Sequence, residues 1–398
     1  MKIPSGWHFF KLNEVTSESR KRAVVGNRIN LPVFGVSNQT GLNTTSRYHA
    51  ENLDRYKVIE PGMFAYNPMR LNIGSIGYCT KDIGTGLVSP DYVVFSCNEK
   101  QLNSQYLYYY VQNHHWKHWM QKAGAGSVRV RIYYKDIGMY PIILPPIHEQ
   151  QKILEILSTW DNAIELTNQL IIAEQQLKKG LEQHLLTGKT RLSGFDNTWN
   201  DNKLGDLGTT YSGLSGKTKD DFGVGKPYIT YRNIFENNKI DKSKLEFVKI
   251  RDGENQNKVQ YGDILFTLSS ETPDEVGMCS VLLDNLSECY LNSFCFGFRL
   301  NDFKYLIPEY ACFLFRSDFF RRNFFKLAQG STRYNISKRE VLKLTVKLPS
   351  IKEQKKIAAL LTDCDSAIDL YSKNLVNLKQ QKRSLMQKLF SGQIRVKV

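Results

Sequence analysis

The sequence contains no run of 18 apolar residues, so no segment is long and apolar enough to cross a bilayer as a helix. Its seven cysteines are odd in number and form no Cys-x-x-Cys pair. That excludes a disulfide framework and a zinc ribbon and implies reduced, mostly buried thiols. Proline is scarce, at 12 of 398 residues, and 41% of the chain is hydrophobic. Such a composition is neither disordered, collagen-like nor low in complexity, and the length suits two to three domains. The opening residues, Met1 to Trp7, lack the apolar core of a signal peptide, so a cytoplasmic protein is expected. Negative charge is in deficit. Thirty-nine acidic against 54 basic residues leave +15, with a pI near 9.3. A polyanion partner is implied, and nucleic acid is the first candidate.

Catalytic motifs are also missing. Gly216-Lys217-Thr218 ends like a phosphate-binding loop, but Tyr211 stands where the first glycine belongs. Gly188-Lys189-Thr190 fails likewise at Gln183. His114, His115 and His118 have no acidic residue between them and no nearby cysteine, which excludes a His-Glu-x-x-His zinc site. Asn67-Pro68-Met69-Arg70 is not the Asn-Pro-Pro-aromatic motif of amino-methyltransferases. No Pro-Asp followed by Glu-x-Lys marks a nuclease metal site. No catalytic or metal constellation emerges.

What the chain does have is an internal repeat. Residues 144–192 align with 348–396 at a constant offset of 204, with 19 of 49 positions identical and no gap. Leu144-Pro145-Pro146-Ile147-His148-Glu149-Gln150 matches Leu348-Pro349-Ser350-Ile351-Lys352-Glu353-Gln354. The preceding segments match more loosely. Gly126-Ser127-Val128-Arg129 pairs with Gly330-Ser331-Thr332-Arg333, and Trp7 mirrors Trp199. The chain reads as globule, helix, globule, helix: residues 1–143, 144–190, 191–347 and 348–398.

Both helical segments start after proline, carry Glu149 or Glu353 in the first turn and end at Gly188 or Gly392. Ile357, Leu361, Cys364, Ile368, Tyr371, Leu375, Leu378, Leu385 and Leu389 follow a 4-3 spacing broken only by Lys382. The first copy gives Ile153, Leu157, Trp160, Ile164, Ile171, Leu181 and Leu185, with Thr167, Glu174 and Lys178 as polar breaks. Trp160 against Cys364 makes the seams unequal. A 3.5-residue repeat predicts coiled-coil packing. Helices of about 57 Å, at 1.5 Å per residue, outgrow the globules, so each is the other's obvious partner. Antiparallel pairing would create a pseudo-two-fold axis. Glu174 and Lys178 are the expected places for a partner protein to replace self-packing.

The globules read as mixed α/β. Gly62–Tyr66, Tyr92–Phe95 and Asp263–Thr267 look like strands. Gln105–Lys122 and Glu309–Leu327 look like amphipathic helices, in which Arg316, Arg321 and Arg322 suit either a solvated surface or a nucleic acid. Phosphate contacts are expected from Lys217 and Thr218 in a small-residue loop, and from Arg129, Arg131, Arg333 and Lys338 beside Gly-Ser turns. Asn38, Arg70, Arg232 and Asn233 are candidates for base edges, since Arg suits guanine and Asn suits adenine.

Leu-Pro-x-Ile-x-Glu-Gln-x-Lys-Ile, present twice, each time before a long helix and after a Gly-Ser-x-Arg turn, resembles the specificity (S) subunit of type I restriction–modification systems over the full length. The resemblance implies a non-catalytic reader of double-stranded DNA without a cofactor of its own. Two target-recognition domains would each read half of a split site, and two helices packed as an antiparallel coiled coil would set the gap. It also implies two methyltransferase (M) subunits using S-adenosylmethionine, and restriction (R) subunits using ATP and Mg. A freestanding nuclease or methyltransferase and a coiled-coil adaptor that binds only protein remain the alternatives.

Overall fold

Each proline-preceded segment opens one unbroken helix in the computed structural model, Ile147–Leu185 and Ile351–Phe390. The structure describes residues 3–23, 31–44, 53–123, 131–330 and 332–397. The chain divides into two compact units, residues 1–167 with 374–398, and residues 168–373. Each unit therefore holds one globule, part of one long helix and part of the other.

The first unit carries two four-stranded sheets. One runs Thr16–Ser19, Val93–Cys97, Phe64–Tyr66, Ile76–Tyr78 and is antiparallel throughout. The other runs Gly41–Thr44, Val33–Ser37, Gly86–Val88, Lys57–Ile59 and contains one parallel pair. Side chains alternate between two cores. Phe64, Tyr66, Val93 and Phe95 face the helices, whereas Ala65 and Val94 face the other sheet with Phe34, Leu42 and Val88. Burial on both faces explains why these strands read as unbroken apolar runs. The second unit repeats the plan: its main sheet runs Gly208–Ser212, Cys295–Leu300, Ile264–Thr267, Cys279–Val281. A stacked pair bridges the same two strands in each core, Phe64–Phe95 at 5.1 Å and, two residues further along the strand, Phe266–Phe296 at 5.2 Å.

Each amphipathic stretch is two helices rather than one: Ser104–Tyr110 and His114–Ala123, then Pro308–Leu314 and Asp318–Leu327. The break has a local cause. Asn113 Oδ1 accepts from Trp116 N, and Ser317 Oγ accepts from Phe320 N, so each side chain caps a new helix. Asn113 and Ser317 are themselves repeat-equivalent, at the offset of 204.

The helix starts are fastened by the duplicated Glu-Gln pair. Gln150 is fully buried; its amide donates to the carbonyls of Gln101 and Pro145 and accepts from Asn103 N. Gln354 does the same for Tyr305, Pro349 and Ile307 N. In the first unit, the Glu149 carboxylate is 3% exposed and takes both arms of Arg395, at 2.7 and 2.9 Å. Arg395 also donates to Ser5 O and lies over the Trp7 ring. In the second unit, Glu353 takes Arg191 at 2.7 Å twice, and Arg191 donates to Asn197 O beside Trp199.

Midway along the helices, Asp161 pairs with Lys382 in the first unit, and Lys178 with Asp365 at 2.5 Å in the second. In every such pair the residue numbers sum to 543 or 544, which is the signature of antiparallel neighbours within each unit. The seam positions are buried or half-buried, whereas Leu166, Leu170, Leu177 and Leu370 outside the seam are half or more exposed.

These pairs correct the expectation for the polar breaks. Lys178 and Lys382 belong to the helix pairing, Thr167 is buried and donates to Ala163 O, and burial together with the neighbouring Glu174 carboxylate raises the pKa of Cys364. They are neutralised polar seam positions, not places left open for a partner.

The seven cysteines are free, and six are buried. Burial pushes the Cys79 and Cys279 thiols up to about 11 and Cys289 to about 12, so all three stay protonated at neutral pH. Among the described residues no helix is long and apolar enough to cross a membrane. Nor does any group of three or more His, Cys, Asp or Glu among them suit a metal ion.

The buried amides give the first prediction. Gln354→Ala strands one buried N–H and two carbonyls, at roughly 1–3 kcal/mol per orphaned group. A loss of about 3 kcal/mol is expected in urea unfolding, and Gln150→Ala should behave alike. A loss below about 0.5 kcal/mol, the level of an ordinary surface change, would sink this account.

Candidate nucleic-acid interface

In each unit one loop leaves a central strand and is met by the segment that follows Gly126-Ser127 or Gly330-Ser331 in the sequence. In the first unit, residues 67–75 follow the strand Phe64–Tyr66. Asn67 Oδ1 accepts from Met69 N, and the Arg70 carbonyl accepts from Ile73 N and Ser75 N, which folds the loop back. Gly74 sits at φ +89, and a Cβ there would come within 2.9 Å of Asn38 Oδ1, so the loop rests on the turn that carries Asn38. Ile132 N donates to Pro68 O, bringing Arg131 beside the same loop. Asn38, Arg70 and Arg131 are all exposed. The Arg70 and Arg131 guanidinium groups have no partner among the described residues. Met69 and Tyr133 stand beside them, also exposed.

The second unit builds the same junction. Ile336 N donates to Leu268 O, and Ser269–Ser270 pairs with Tyr334–Asn335. Ile132 and Ile336 differ by 204, and Pro68 and Leu268 by 200, so these docking bonds are repeat-equivalent. Arg333 lies over the Phe294 ring at 5.4 Å, and Phe294 is 53% exposed. Lys338 Nζ donates to Ser212 Oγ at 2.6 Å. The Tyr231 hydroxyl donates to Ser269 O, which ties the helix Tyr231–Glu236, and with it Arg232, to this junction. Arg232 is 84% exposed and pairs with Glu236, whose carboxylate raises its pKa.

Three of the expected contact residues are engaged elsewhere. Lys217 is turned inward, 4% exposed, onto Glu254 and the Lys249 carbonyl. Thr218 caps a short turn through Asp221. Asn233 is buried, with its amide donating to Asp241 O and accepting from Asp241 N. Lys217 and Thr218 in a small-residue loop read as phosphate ligands in sequence and Asn233 as a reader of base edges, but each satisfies a local demand of the fold. Arg316 and Arg321 are likewise internal. Arg316 donates to the carbonyls of Ile234, Phe235, Asn237 and Cys279, Arg321 to those of Asp274, Val276 and Gly277, and burial lowers both pKa values. Arg129 lies outside the described residues.

Phe294, Ser269 and Ser270 were not singled out from sequence. Leu268-Ser269-Ser270 aligns with Pro68-Met69-Arg70 at an offset of 200, and that alignment was the available signal. The surviving cations, Arg70 and Arg131 in one unit and Arg232, Arg333 and Lys338 in the other, combine long donors with exposed apolar or aromatic side chains. Such a surface suits a phosphate backbone and base edges.

Each globule thus carries a cation-bearing junction beside a fastened helix. The family model for the type I restriction modification DNA specificity domain matches residues 4–175 and again 196–380. The chain belongs to that family, and it is a specificity subunit of a type I restriction–modification system, the DNA-recognising component that performs no catalysis. It is similar to the type I restriction enzyme MjaVIII specificity subunit of Methanocaldococcus jannaschii, at 26% identity over 78% of this chain and 75% of the relative. It is similar also to the EcoKI specificity subunit of Escherichia coli K12, at 24% identity over 74% and 67%. The crystal structure of the HsdS subunit from Thermoanaerobacter tengcongensis shares the fold, with a TM-score of 0.59 over 99% of both chains at 17% identity.

Lys217 and Arg333 separate the two roles by experiment. Hydrogen bonds from Arg251 N, Lys217 and Gln256 hold Glu254 at about 2, below its usual 4.5. The stability it contributes is complete above pH 4.5 and disappears as pH falls towards 2. Lys217→Ala should raise the pH midpoint of acid unfolding, followed by circular dichroism, whereas Arg333→Ala should leave it in place. An unmoved midpoint for Lys217→Ala would refute the inward role.

Proposed function

We propose that residues 1–143 and 191–347 each read one half of a split DNA site, and that the helical segments 144–190 and 348–398 fix the spacing between the halves. The observation that carries this reading is the repeat-equivalent docking of Ile132 on Pro68 and of Ile336 on Leu268. It supports a cationic reading surface in each unit, at the same place on the same scaffold, with different side chains. Arg70 and Arg131 contact DNA in the first reader, with Asn38 at the loop's support. Arg232, Arg333 and Lys338 do so in the second. Arg suits guanine edges or phosphates, and Phe294 offers apolar contact to a base.

The long helices also dock the modification subunits of the system, two of them, one for each half of the duplicated segment. Adenine methylation, S-adenosylmethionine, ATP and Mg belong to the modification and restriction subunits in this reading, and the assembly works in the cytoplasm. Spacing by rigid helices matches the chemistry of the duplex, whose successive major-groove faces lie about 34–36 Å apart.

Exchanging residues 1–143 for another reader should change one half of the methylated sequence and leave the other, as read by sequencing methylated adenines in cells. An unchanged first half would overturn the assignment. Deleting four residues within 150–186 should alter the gap or abolish modification. Normal spacing with normal activity would remove the ruler role. Binding should weaken steeply with salt, because cations that neutralise phosphates release counterions.

A further inference from the structure

Beyond the DNA-reading junctions, the first unit holds a cleft of about 670 Å³ between its globule and the long helices. Lys379, Lys382 and Arg383 enter it from one face of the helix Ile351–Phe390, and Lys117 enters from the helix His114–Ala123. Asp161 is the one carboxylate among the lining residues. It is already satisfied by Lys382 and by the Tyr109 hydroxyl, which donates to it at 2.5 Å. The side chains of Lys117, Lys379 and Arg383 are exposed, with no partner among the described residues. Three unpaired cations therefore converge on a concave space.

The remaining walls are not those of a plain phosphate trap. Tyr108, 40% exposed, stacks on Tyr78 at 5.3 Å, which presents an aromatic face. The turn Asn38–Gly41 and Gln112 supply amide and hydroxyl groups. A pocket of a few hundred Å³ with an aromatic plate, amides and a cationic end suits a small ligand. A cleft of about 670 Å³ is too small to take in a whole duplex.

The repeat does not impose this charge. The cleft of the second unit is lined by Glu182, Glu236, Asp241, Asp284, Asp365 and Asp369 against four basic residues. The repeat counterparts of Lys379 and Arg383 are Gln175 and Lys179, and neither lines that cleft. Two clefts on a common scaffold have opposite charge, so the basic one follows from its own side chains.

We propose that this cleft binds a nucleotide, with Lys117, Lys379 and Arg383 on its phosphates and Tyr108 against its base. The cleft adjoins the reading junction and shares the Asn38 turn with it, but its cations Lys117, Lys379 and Arg383 are not those of the junction, and the proposal does not depend on that assignment. Phosphate groups joined to a base through a sugar occur both in free nucleotides and in DNA, and the small volume of the cleft favours the free form. The test is isothermal titration of the full-length chain with ATP, inorganic pyrophosphate, adenosine and a short duplex of random sequence. ATP and pyrophosphate should bind, and adenosine should bind more weakly than ATP. The double variant Lys379→Gln/Arg383→Gln should weaken ATP and pyrophosphate about tenfold or more, since charge-assisted contacts to phosphate are the strong ones. Lys117→Gln should act in the same direction from the opposite wall. Tyr108→Ala should weaken ATP and spare pyrophosphate. All four side chains are at least partly exposed, so unfolding temperatures should stay near the parent value, and binding of the target DNA scores the reader function separately. Absence of binding by ATP and pyrophosphate, or parent affinity in the double variant, overturns the proposal. So does a pattern in which the variants weaken only the duplex, which would assign the cations to DNA backbone.

Discussion

A carboxylate taken out of water must find a cation, and this molecule uses that constraint twice. Glu149 and Glu353 are almost fully buried at the first turn of a long helix, and each is closed by an arginine that arrives from elsewhere in the chain, Arg395 or Arg191. Losing one partner leaves a charge with no water to stabilise it, so the latch is strongly directional in what it tolerates. Around it the fully buried Gln150 and Gln354 saturate backbone groups of the globule, and Trp7 or Trp199 covers the guanidinium. Helix start, helix end and globule are thereby fixed to one another within each unit, and the cation-bearing junctions are carried on that fixture.

The globules show how a shared scaffold carries different surfaces. Sheet order, the stacked phenylalanine pair and the capped helix break recur in both. Differences gather at the loops after Tyr66 and Thr267, where Arg70 stands in one unit and Ser270 in the other. Core positions cannot change singly, because each strand is packed on both faces. Loop positions bear no such restraint, which is where recognition is expected to vary.

Much of this was legible in the sequence. The 204-residue offset revealed the duplication, the prolines marked the helix starts, and the 4-3 spacing marked the inward faces. The seam's polar residues were misread because a single sequence does not say which cation meets which carboxylate. Lys178 looked like a gap in packing until Asp365 was found opposite. Lys217 and Thr218 had the composition of phosphate ligands and Asn233 that of a base-edge reader, but burial and backbone demand decide between ligand and brace, and neither can be read from spacing. Arg316 and Arg321 illustrate the same limit, since five-donor side chains satisfy carbonyls as readily as phosphates. Asn113 and Ser317, by contrast, were capping signals present in plain view.

The latch has a consequence for how such proteins diversify. Glu149, Gln150, Asp161, Lys178 and Arg191 have identical counterparts in the second copy, so a genetic crossover inside either helix-coding segment joins matched halves of the fixture. A head exchanged at such a point arrives on a neck whose latch residues already match.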